Sequence, residues 1–178
     1  GSFEQMILKA STDQSWKRLG ETDPYHGVLQ GEKHRREQLT DDARSDFLRS
    51  GAAHVATVQK LVEHFFGEFP TGVAIDYGCG VGRVALALAP LFDRVVGVDI
   101  SPGMLAEAAR NARDQSVGNL DLVHARSLSW ATPASADFVH TYIVMQHMRP
   151  AAGYAAVDQL LAALRPGGVA AIQFPVGF

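Results

Sequence analysis

Apolar residues from Val73 onward gather in short runs, and polar or glycine-rich sequence follows each run. The runs are rich in valine and other large apolar residues, which is typical of strands buried inside a parallel sheet. Alanine-rich stretches that favour helices lie between the first runs. Strands that alternate with helices predict an α/β fold with a parallel sheet. The predicted strands are Val73–Asp76, Arg94–Asp99, Leu120–His124, a fourth within 135–147, and Val169–Phe174.

The first seventy or so residues have a different pattern. Thr40 is followed by acidic residues, which predicts a helix over Thr40–Arg49 with Thr40 as its N-cap. After Ser50 and Gly51 we predict a second helix that ends before Pro70. We therefore divide the chain into a helical cap or lid (residues 3–50) and a cofactor-binding domain (residues 51–178). The apolar positions of the second helix recur at helical spacing and are Val55, Val58, Leu61, Val62, Phe65 and Phe66.

The first strand ends on Asp76 and runs into three alternating glycines, Gly78, Gly80 and Gly82, with Cys79 between them. Glycine has no Cβ, so such a loop adopts positive φ angles and brings backbone N–H groups close to a ligand. A helix follows at once. Strand, glycine loop and helix together predict the opening half of a βαβ cofactor site.

The spacing of the glycines bears on which cofactor binds. The dinucleotide fingerprint is G-x-G-x-x-G, and Arg83 occupies the position of its third glycine. Asp76 inside the motif is poorly placed to face a pyrophosphate and suits a ligand with an ammonium group. A nicotinamide-dependent oxidoreductase is therefore the less favoured alternative.

A second acid, Asp99, ends the second strand, and Ser101 and Pro102 follow it as the predicted N-cap and first residue of a helix. A carboxylate at this place accepts hydrogen bonds from both hydroxyls of a ribose in dinucleotide sites. Open α/β sheets bind their ligands at the carboxyl ends of the strands, where we expect Asp99 to lie.

Taken together, residues Val73 to Phe174 resemble the class I S-adenosylmethionine-dependent methyltransferases of the bacterial small-molecule type. The resemblance implies a Rossmann-like, doubly wound parallel sheet with strand order 3-2-1-4-5. It also implies S-adenosylmethionine as cofactor and methyl transfer to an oxygen or nitrogen atom of a small-molecule acceptor. The matching segments are Asp76–Gly82, Val98–Pro102, Ser135–His147 and Leu164–Val169.

The resemblance implies a role for each of several residues. Asp76 lies near the amino group of the cofactor, Asp99 binds the ribose, and Ile100 packs on the adenine. Ser127 and Leu128 meet the adenine edge, where the family commonly has an acid. The remaining expected cofactor contacts are Gly78, Cys79, Gly80, Gly82, Thr141 and Gln146.

Two histidines are candidates for a general base, which the reaction needs only when the acceptor atom is protonated. His147 follows the fourth strand, on the side where ligands bind, and His26 lies in the predicted lid. We predict no metal site, because the histidines and acids lack ligand spacing.

Charge and composition exclude several classes of function. The net charge of −3 gives no basic surface for nucleic acid. No apolar run reaches about 18 residues, so we expect no membrane-spanning helix. The single cysteine, Cys79, fits a reducing compartment and predicts a cytoplasmic protein.

The fifth strand raises a separate question, because the family continues with a further helix and an antiparallel hairpin. An uncovered edge strand is an aggregation risk. We therefore expect the chain to lack its C-terminal strands as part of a longer protein, or a partner or second copy to cover the edge. A non-catalytic cofactor-binding or scaffold module is the alternative that this feature favours.

Overall fold

The computed structural model describes residues 12–22, 25 and 40–174. Its strands form one sheet in the order β3-β2-β1-β4-β5, and every neighbouring pair is parallel. This order confirms the predicted doubly wound fold. The strands are β1 (Val73–Tyr77), β2 (Arg94–Asp99), β3 (Leu120–His124), β4 (Ala136–Thr141) and β5 (Leu164–Ile172).

Helices cover both faces of this sheet. The helix that follows β2 begins as predicted, because the Ser101 hydroxyl accepts a hydrogen bond from the Met104 N–H at 3.3 Å and Pro102 is the first helical residue. The helices are α1 (Thr12–Thr22), α2 (Asp41–Phe66), α3 (Arg83–Leu88), α4 (Pro102–Asp114) and α5 (Pro150–Ala163).

Alternate residues of each strand point to opposite faces and form two cores. Ala74, Val95 and Phe138 pack on one face against apolar residues of α2, α3 and α4. Ile75 and its neighbours on the other strands pack on the second face against α5 and Trp130. Burial on both faces explains why the strands are continuous apolar runs.

The predicted break at Ser50 and Gly51 is wrong, because helix α2 continues without interruption through both residues. Gly51 permits a close approach: a Cβ there would lie 2.0 Å from the Arg83 carbonyl oxygen. The helix ends at Gly67, whose φ is +90°. The predicted boundary between residues 50 and 51 thus falls inside one helix, and the division into a cap and a cofactor domain stays a prediction.

The predicted apolar face of α2 is only partly buried. Val55 and Val62 join the core, and Val58 is partly buried against it. Leu61, Phe65 and Phe66 are exposed. Phe65 and Phe66 are the last two residues of the helix.

The N-terminal part is held against α4 by close contacts. A Cβ on Gly20 of α1 would lie 2.1 Å from the Ser101 hydroxyl oxygen, so the two helices approach at backbone distance. The buried Tyr25 hydroxyl donates to Glu107 at 2.6 Å, and the Arg44 guanidinium donates to that hydroxyl at 3.0 Å. Tyr25 therefore serves as an anchor between α2 and α4.

Strand β5 lies at the edge of the sheet, as the strand order requires. Its pairing with β4 is irregular between Ala136 and Phe138, and Gly167 has a φ of +83°. Among the described residues, no helix is both long enough and apolar enough to cross a membrane.

We predict that Gly51→Ala destabilises the protein although alanine favours helices. The new Cβ meets a backbone oxygen, and overpacking of this kind costs about 1–3 kcal/mol, whereas the gain in helix propensity is about 1 kcal/mol. Urea unfolding measures the free energy of unfolding of each variant.

Gly153→Ala is the matched control, because Gly153 also lies within a helix but its Cβ would meet nothing closer than 3.9 Å. We expect this variant to be unchanged or more stable. Equal stability of the two variants would contradict the close packing of α2 on Arg83.

Candidate active site

A cavity of about 910 Å³ opens at the carboxyl ends of β1, β2 and β4. This is the side of an open α/β sheet where ligands bind. Its walls come from the glycine loop, the end of β2, the segment after β4, and helices α1 and α5. Of the predicted site residues, those that line it are Gly78, Gly80, Asp99, Ile100 and His147.

The conformation of the loop after β1 requires glycine at three positions. Gly78, Gly80 and Gly82 have φ angles of +76°, +55° and +89°, a region that favours glycine. The Gly78 N–H donates to the Val98 carbonyl at 2.7 Å, which ties the loop to β2. A Cβ on Gly78 would lie 2.2 Å from a Val144 methyl carbon. The expected left-handed loop is therefore confirmed.

Asp99 connects β2 to this loop. Its Oδ2 accepts a hydrogen bond from the Gly80 N–H at 2.9 Å, and its Oδ1 accepts one from the Ser101 N–H at 2.8 Å. Burial raises the pKa of the Asp99 carboxyl, and the backbone N–H groups oppose that rise. The carboxyl therefore supports the loop as well as facing the cavity.

Asp76 belongs to a hydrogen-bonded series of three side chains, of which Asp76 and His140 are buried and His54 is partly buried. Its Oδ1 lies 2.8 Å from His140 Nδ1, and His140 Nε2 lies 2.9 Å from His54 Nε2. Asp76 and His140 are each 3% exposed. Burial, followed by the charges of His140 and Arg83, lowers the pKa of His54 to about 4.

The sequence analysis assigned no role to either histidine. Asp76 and His140 are direct partners in the β1–β4 pairing, so the register decides their contact. His140 could have been found from its position in the sequence, because it immediately precedes the predicted contact residue Thr141. His54 could not be found in this way, because a helix brings it to the site from outside the sheet.

Three buried polar atoms near the cavity have no hydrogen-bond partner within the described part of the chain: Asp76 Oδ2, Arg83 Nε and Thr141 Oγ1. Such orphaned atoms are rare in folded proteins and are costly unless a ligand or water satisfies them. They offer an acceptor, a donor and a hydroxyl.

Arg83 lines the cavity although it is buried, with 7% of its surface exposed. Its Nη1 donates to the Ser50 hydroxyl at 3.3 Å, and its guanidinium lies 5.7 Å from the centre of the Tyr142 ring. Burial lowers the pKa of the guanidinium, and the charge of Asp76 opposes this. A buried cation at a cavity wall is suited to an anionic group.

Two residues of the glycine loop that were predicted to contact the cofactor pack within the protein. Cys79 is buried against β2, where a Cβ on Gly97 would lie 3.1 Å from its sulfur, and burial raises the pKa of its thiol. Gly82 is the N-cap of α3. Neither residue lines the cavity.

The predicted adenine-edge residues Ser127 and Leu128 also lie off the cavity wall, and both are exposed. The short 3-10 turn Ala125–Ser127 ends at Leu128, which has a φ of +53° and turns the chain away. Ala125 and Arg126 line the cavity at this place instead.

Of the residues after β4 that were predicted to belong to the site, only some line the cavity. His147 is half-buried on the wall, and burial lowers the pKa of its imidazole. Gln146 is exposed, off the wall, and 3.3 Å from His147 Nε2. Ile143 on the wall has a φ of +59°, a strained angle for a β-branched residue. His26 lies outside the described residues.

Asp76 and Thr141 each immediately precede a wall residue, Tyr77 and Tyr142 respectively, and are themselves buried. The described residues contain no group of three or more histidine, cysteine or acidic side chains arranged to hold a metal ion. Wall residues that the sequence analysis did not predict include Lys17, Met104, Val144, Arg149 and Gln159.

The chain is similar to known methyltransferases. Residues 74–168, more than half of the chain, match the family model of a methyltransferase domain. Trans-aconitate 2-methyltransferase of Azoarcus sp. (strain BH72) is 39% identical over 103 residues, which are 57% of this chain and 38% of that protein. The enzyme of the same name from Rhodopseudomonas palustris (strain BisA53) is 33% identical over 77% of this chain and 51% of its own length.

A solved structure extends the likeness to nearly the whole chain. Phosphoethanolamine N-methyltransferase 1 of Haemonchus contortus, in complex with phosphoethanolamine and S-adenosylhomocysteine, has a TM-score of 0.68 at 15% identity. It covers 97% of this chain, which spans 33% of that protein. At this identity the likeness concerns the fold. The match to the family model, together with this fold, shows that the chain belongs to the class I S-adenosylmethionine-dependent methyltransferases.

Proposed function

We propose that this chain binds S-adenosylmethionine in the cavity and transfers its methyl group to a small-molecule acceptor. The observation that carries the proposal is the set of orphaned polar atoms, Asp76 Oδ2, Arg83 Nε and Thr141 Oγ1. The methionine end of the cofactor has an ammonium and a carboxylate group. The carboxylate of Asp76 suits the ammonium, and the guanidinium of Arg83 suits the carboxylate.

The other cofactor contacts follow from the wall of the cavity. The backbone at Gly78 and Gly80 approaches the ligand, the Asp99 carboxylate binds the ribose hydroxyls, and Ile100 packs on the adenine. We keep Thr141 near the methionine end. Cys79, Gly82, Ser127, Leu128 and Gln146 have no direct role in this proposal. They lie off the cavity wall, and none of them has a buried side-chain atom without a partner among the described residues, as Asp76 and Thr141 do.

The chemistry asked of the protein is mainly positioning. When bound, the cofactor supplies a methyl group that its sulfonium already activates for in-line displacement. The cavity holds the acceptor atom in line and excludes water, and positioning of this kind contributes about 7–11 kcal/mol to catalysis.

We further propose that the acceptor carries a carboxylate. Lys17, Arg83, Arg126 and Arg149 line the cavity, whereas Asp99 is the one carboxylate among the described wall residues. This local excess of cations contrasts with the net charge of −3 for the chain. Several similar proteins are named for trans-aconitate, which is itself a carboxylate. The chain spans 38% of the first of these, so the acceptor is proposed at the level of its charge.

His147 is the proposed general base for an acceptor whose attacking atom is a hydroxyl or an ammonium. Burial lowers the pKa of its imidazole, so the ring is neutral at pH 7 and able to accept a proton. An attacking carboxylate oxygen is already ionised and needs no base. The charge and the methylated atom of the acceptor therefore decide whether His147 transfers a proton.

The alternative is a module that binds the cofactor without catalysis, with a partner or second copy over the β5 edge. Binding of S-adenosylhomocysteine without turnover of any carboxylate acceptor would favour it. A nicotinamide-dependent oxidoreductase is less favoured, because the bulky Arg83 side chain occupies the position of the third glycine. We keep a cytoplasmic location as an expectation.

We predict that Asp99→Ala weakens binding of S-adenosylhomocysteine at least tenfold, or about 1.4 kcal/mol. The variant loses the proposed ribose contact and the acceptor of the Gly80 N–H. Calorimetric titration measures the affinity, and NAD is titrated in parallel. Asp158→Ala, on the exposed side of α5, is the control that should bind like wild type. Unchanged affinity of Asp99→Ala would mean that the ribose is bound elsewhere.

We predict that the double variant Lys17→Gln/Arg149→Gln raises KM for a carboxylate acceptor about fivefold to tenfold. Partly exposed charges contribute up to about 1 kcal/mol each. The matched control is Arg18→Gln, since Arg18 neighbours Lys17 on α1 but is not on the cavity wall. Steady-state kinetics measures both variants. A neutral acceptor used as well as the carboxylate one would contradict the proposed charge selectivity.

We predict that His147→Ala lowers kcat for a hydroxyl or amine acceptor about 10²-fold or more, with unchanged affinity for S-adenosylhomocysteine. A base must be unprotonated, so wild-type kcat falls as the pH drops through the lowered pKa of His147, below about 6.5. That acidic limb disappears in the variant. His64→Ala, at an exposed position of α2, is the control. An unaltered pH profile in His147→Ala would exclude this histidine as the base.

A further inference from the structure

A hydrogen-bonded chain of three side chains leads from helix α2 to the end of β1. His54 of α2 contacts His140 of β4 at 2.9 Å between their Nε2 atoms, and His140 Nδ1 contacts Asp76 Oδ1 of β1 at 2.8 Å. None of the three is a wall residue, but Asp76 immediately precedes Tyr77, which lines the cavity, and its Oδ2 has no partner among the described residues. The two histidines therefore act on a ligand only through Asp76.

The Asp76 carboxylate fixes the position of one proton in this series of hydrogen bonds. An ionised carboxylate only accepts hydrogen bonds, so Nδ1 of His140 carries a proton. His54 then supplies the partner that Nε2 of His140 needs in the protein interior, whichever of the two Nε2 atoms carries the shared proton. Without His54, a buried ring nitrogen would lose its partner, which is costly.

One oxygen of Asp76 is held and the other is left open. Because Oδ1 accepts from His140, the orientation of the carboxylate is set, and Oδ2 remains buried without a partner among the described residues. Without this hydrogen bond the carboxylate would lose the contact that fixes its orientation, and a buried charge with fewer hydrogen bonds is unfavourable.

Helix α2 also holds the second polar group of this region. The Ser50 hydroxyl accepts from Arg83 Nη1 at 3.3 Å. Ser50 lies four residues before His54, so both side chains project from the same face of the helix. The absence of a Cβ at Gly51 allows this face to approach Arg83. The His54 ring also packs against Tyr142, with 4.2 Å between the ring centres and an angle of 42° between the ring planes.

We propose that His54 and His140 are positioning residues for cofactor binding: through them, helix α2 orients the Asp76 carboxylate so that Oδ2 receives the ammonium group of the cofactor. The inference rests on the proposed function, in which Asp76 binds that ammonium. It gives α2 a role in the site beyond its apolar packing on the sheet.

The test compares His54→Phe with His54→Gln. Phenylalanine keeps a ring against Tyr142 but has no hydrogen-bonding nitrogen, whereas the glutamine amide still reaches toward His140. We expect His54→Phe to weaken binding of S-adenosylhomocysteine about tenfold and His54→Gln to bind within about twofold of wild type. Calorimetry measures the affinity, and thermal unfolding is followed for each variant. Wild-type affinity in His54→Phe would overturn the proposal.

A double-mutant cycle separates positioning from a general loss of structure. If His54 acts through Asp76, His54→Phe has no further effect on affinity in an Asp76→Asn background. Additive losses of affinity would show that His54 acts by another route and would overturn the proposal. A drop in melting temperature with unchanged affinity would do the same, because it would assign His54 a structural role alone.

One measurement needs no variant. Nitrogen-15 NMR of the wild-type imidazoles is expected to show a proton on His140 Nδ1, and a His140 ring with Nδ1 unprotonated would overturn the proposal. The calorimetric titration with S-adenosylhomocysteine also distinguishes failure of the proposed function from failure of the proposed role of His54. A wild-type chain that fails to bind S-adenosylhomocysteine overturns the proposed function and this inference with it. Wild-type binding combined with normal affinity in His54→Phe overturns this inference alone.

Discussion

The parallel pairing of β1 with β2 on one side and β4 on the other determines where the polar side chains at the strand ends lie. Parallel strands end at the same edge of the sheet, so Asp76, Asp99 and His140 come together although they are far apart in the chain. The apolar runs that make these strands bury both faces of the sheet. Polar side chains are thus concentrated at the strand ends, where backbone groups and ligands can satisfy them.

The glycine loop and Asp99 depend on each other. Positive φ angles at Gly78 and Gly80 turn backbone N–H groups toward the end of β2, and the Asp99 carboxylate accepts one of them. Burial disfavours the charge on Asp99, whereas these N–H groups stabilise it. The same carboxyl thereby holds the loop in a conformation that brings bare backbone to the cavity.

The sheet supplies the edge of the site, and the helices around it supply further polar groups. Helix α2 contacts both Asp76, through two histidines, and Arg83, through Ser50. Helix α1 adds Lys17 to the wall, and Arg149 next to α5 adds a further positive charge. Our proposal of a carboxylate acceptor is based on these charges and not on the fold, because a fold by itself does not determine a substrate.

The sequence by itself determined the fold and the cofactor family. Runs of apolar residues, alternating glycines and acids at the ends of strands are local patterns with a direct structural cause, and the bounds of β2, β3 and α4 followed from them. The continuity of α2 through Gly51 did not follow, because a glycine that weakens a helix locally is retained here for a close contact with Arg83. The wall after β3 did not follow either, because a short turn directs Ser127 and Leu128 outward. Only the tertiary structure brought His54 to His140 and left one oxygen of Asp76 without a partner among the described residues. Such contacts depend on register and helix packing between residues distant in the chain.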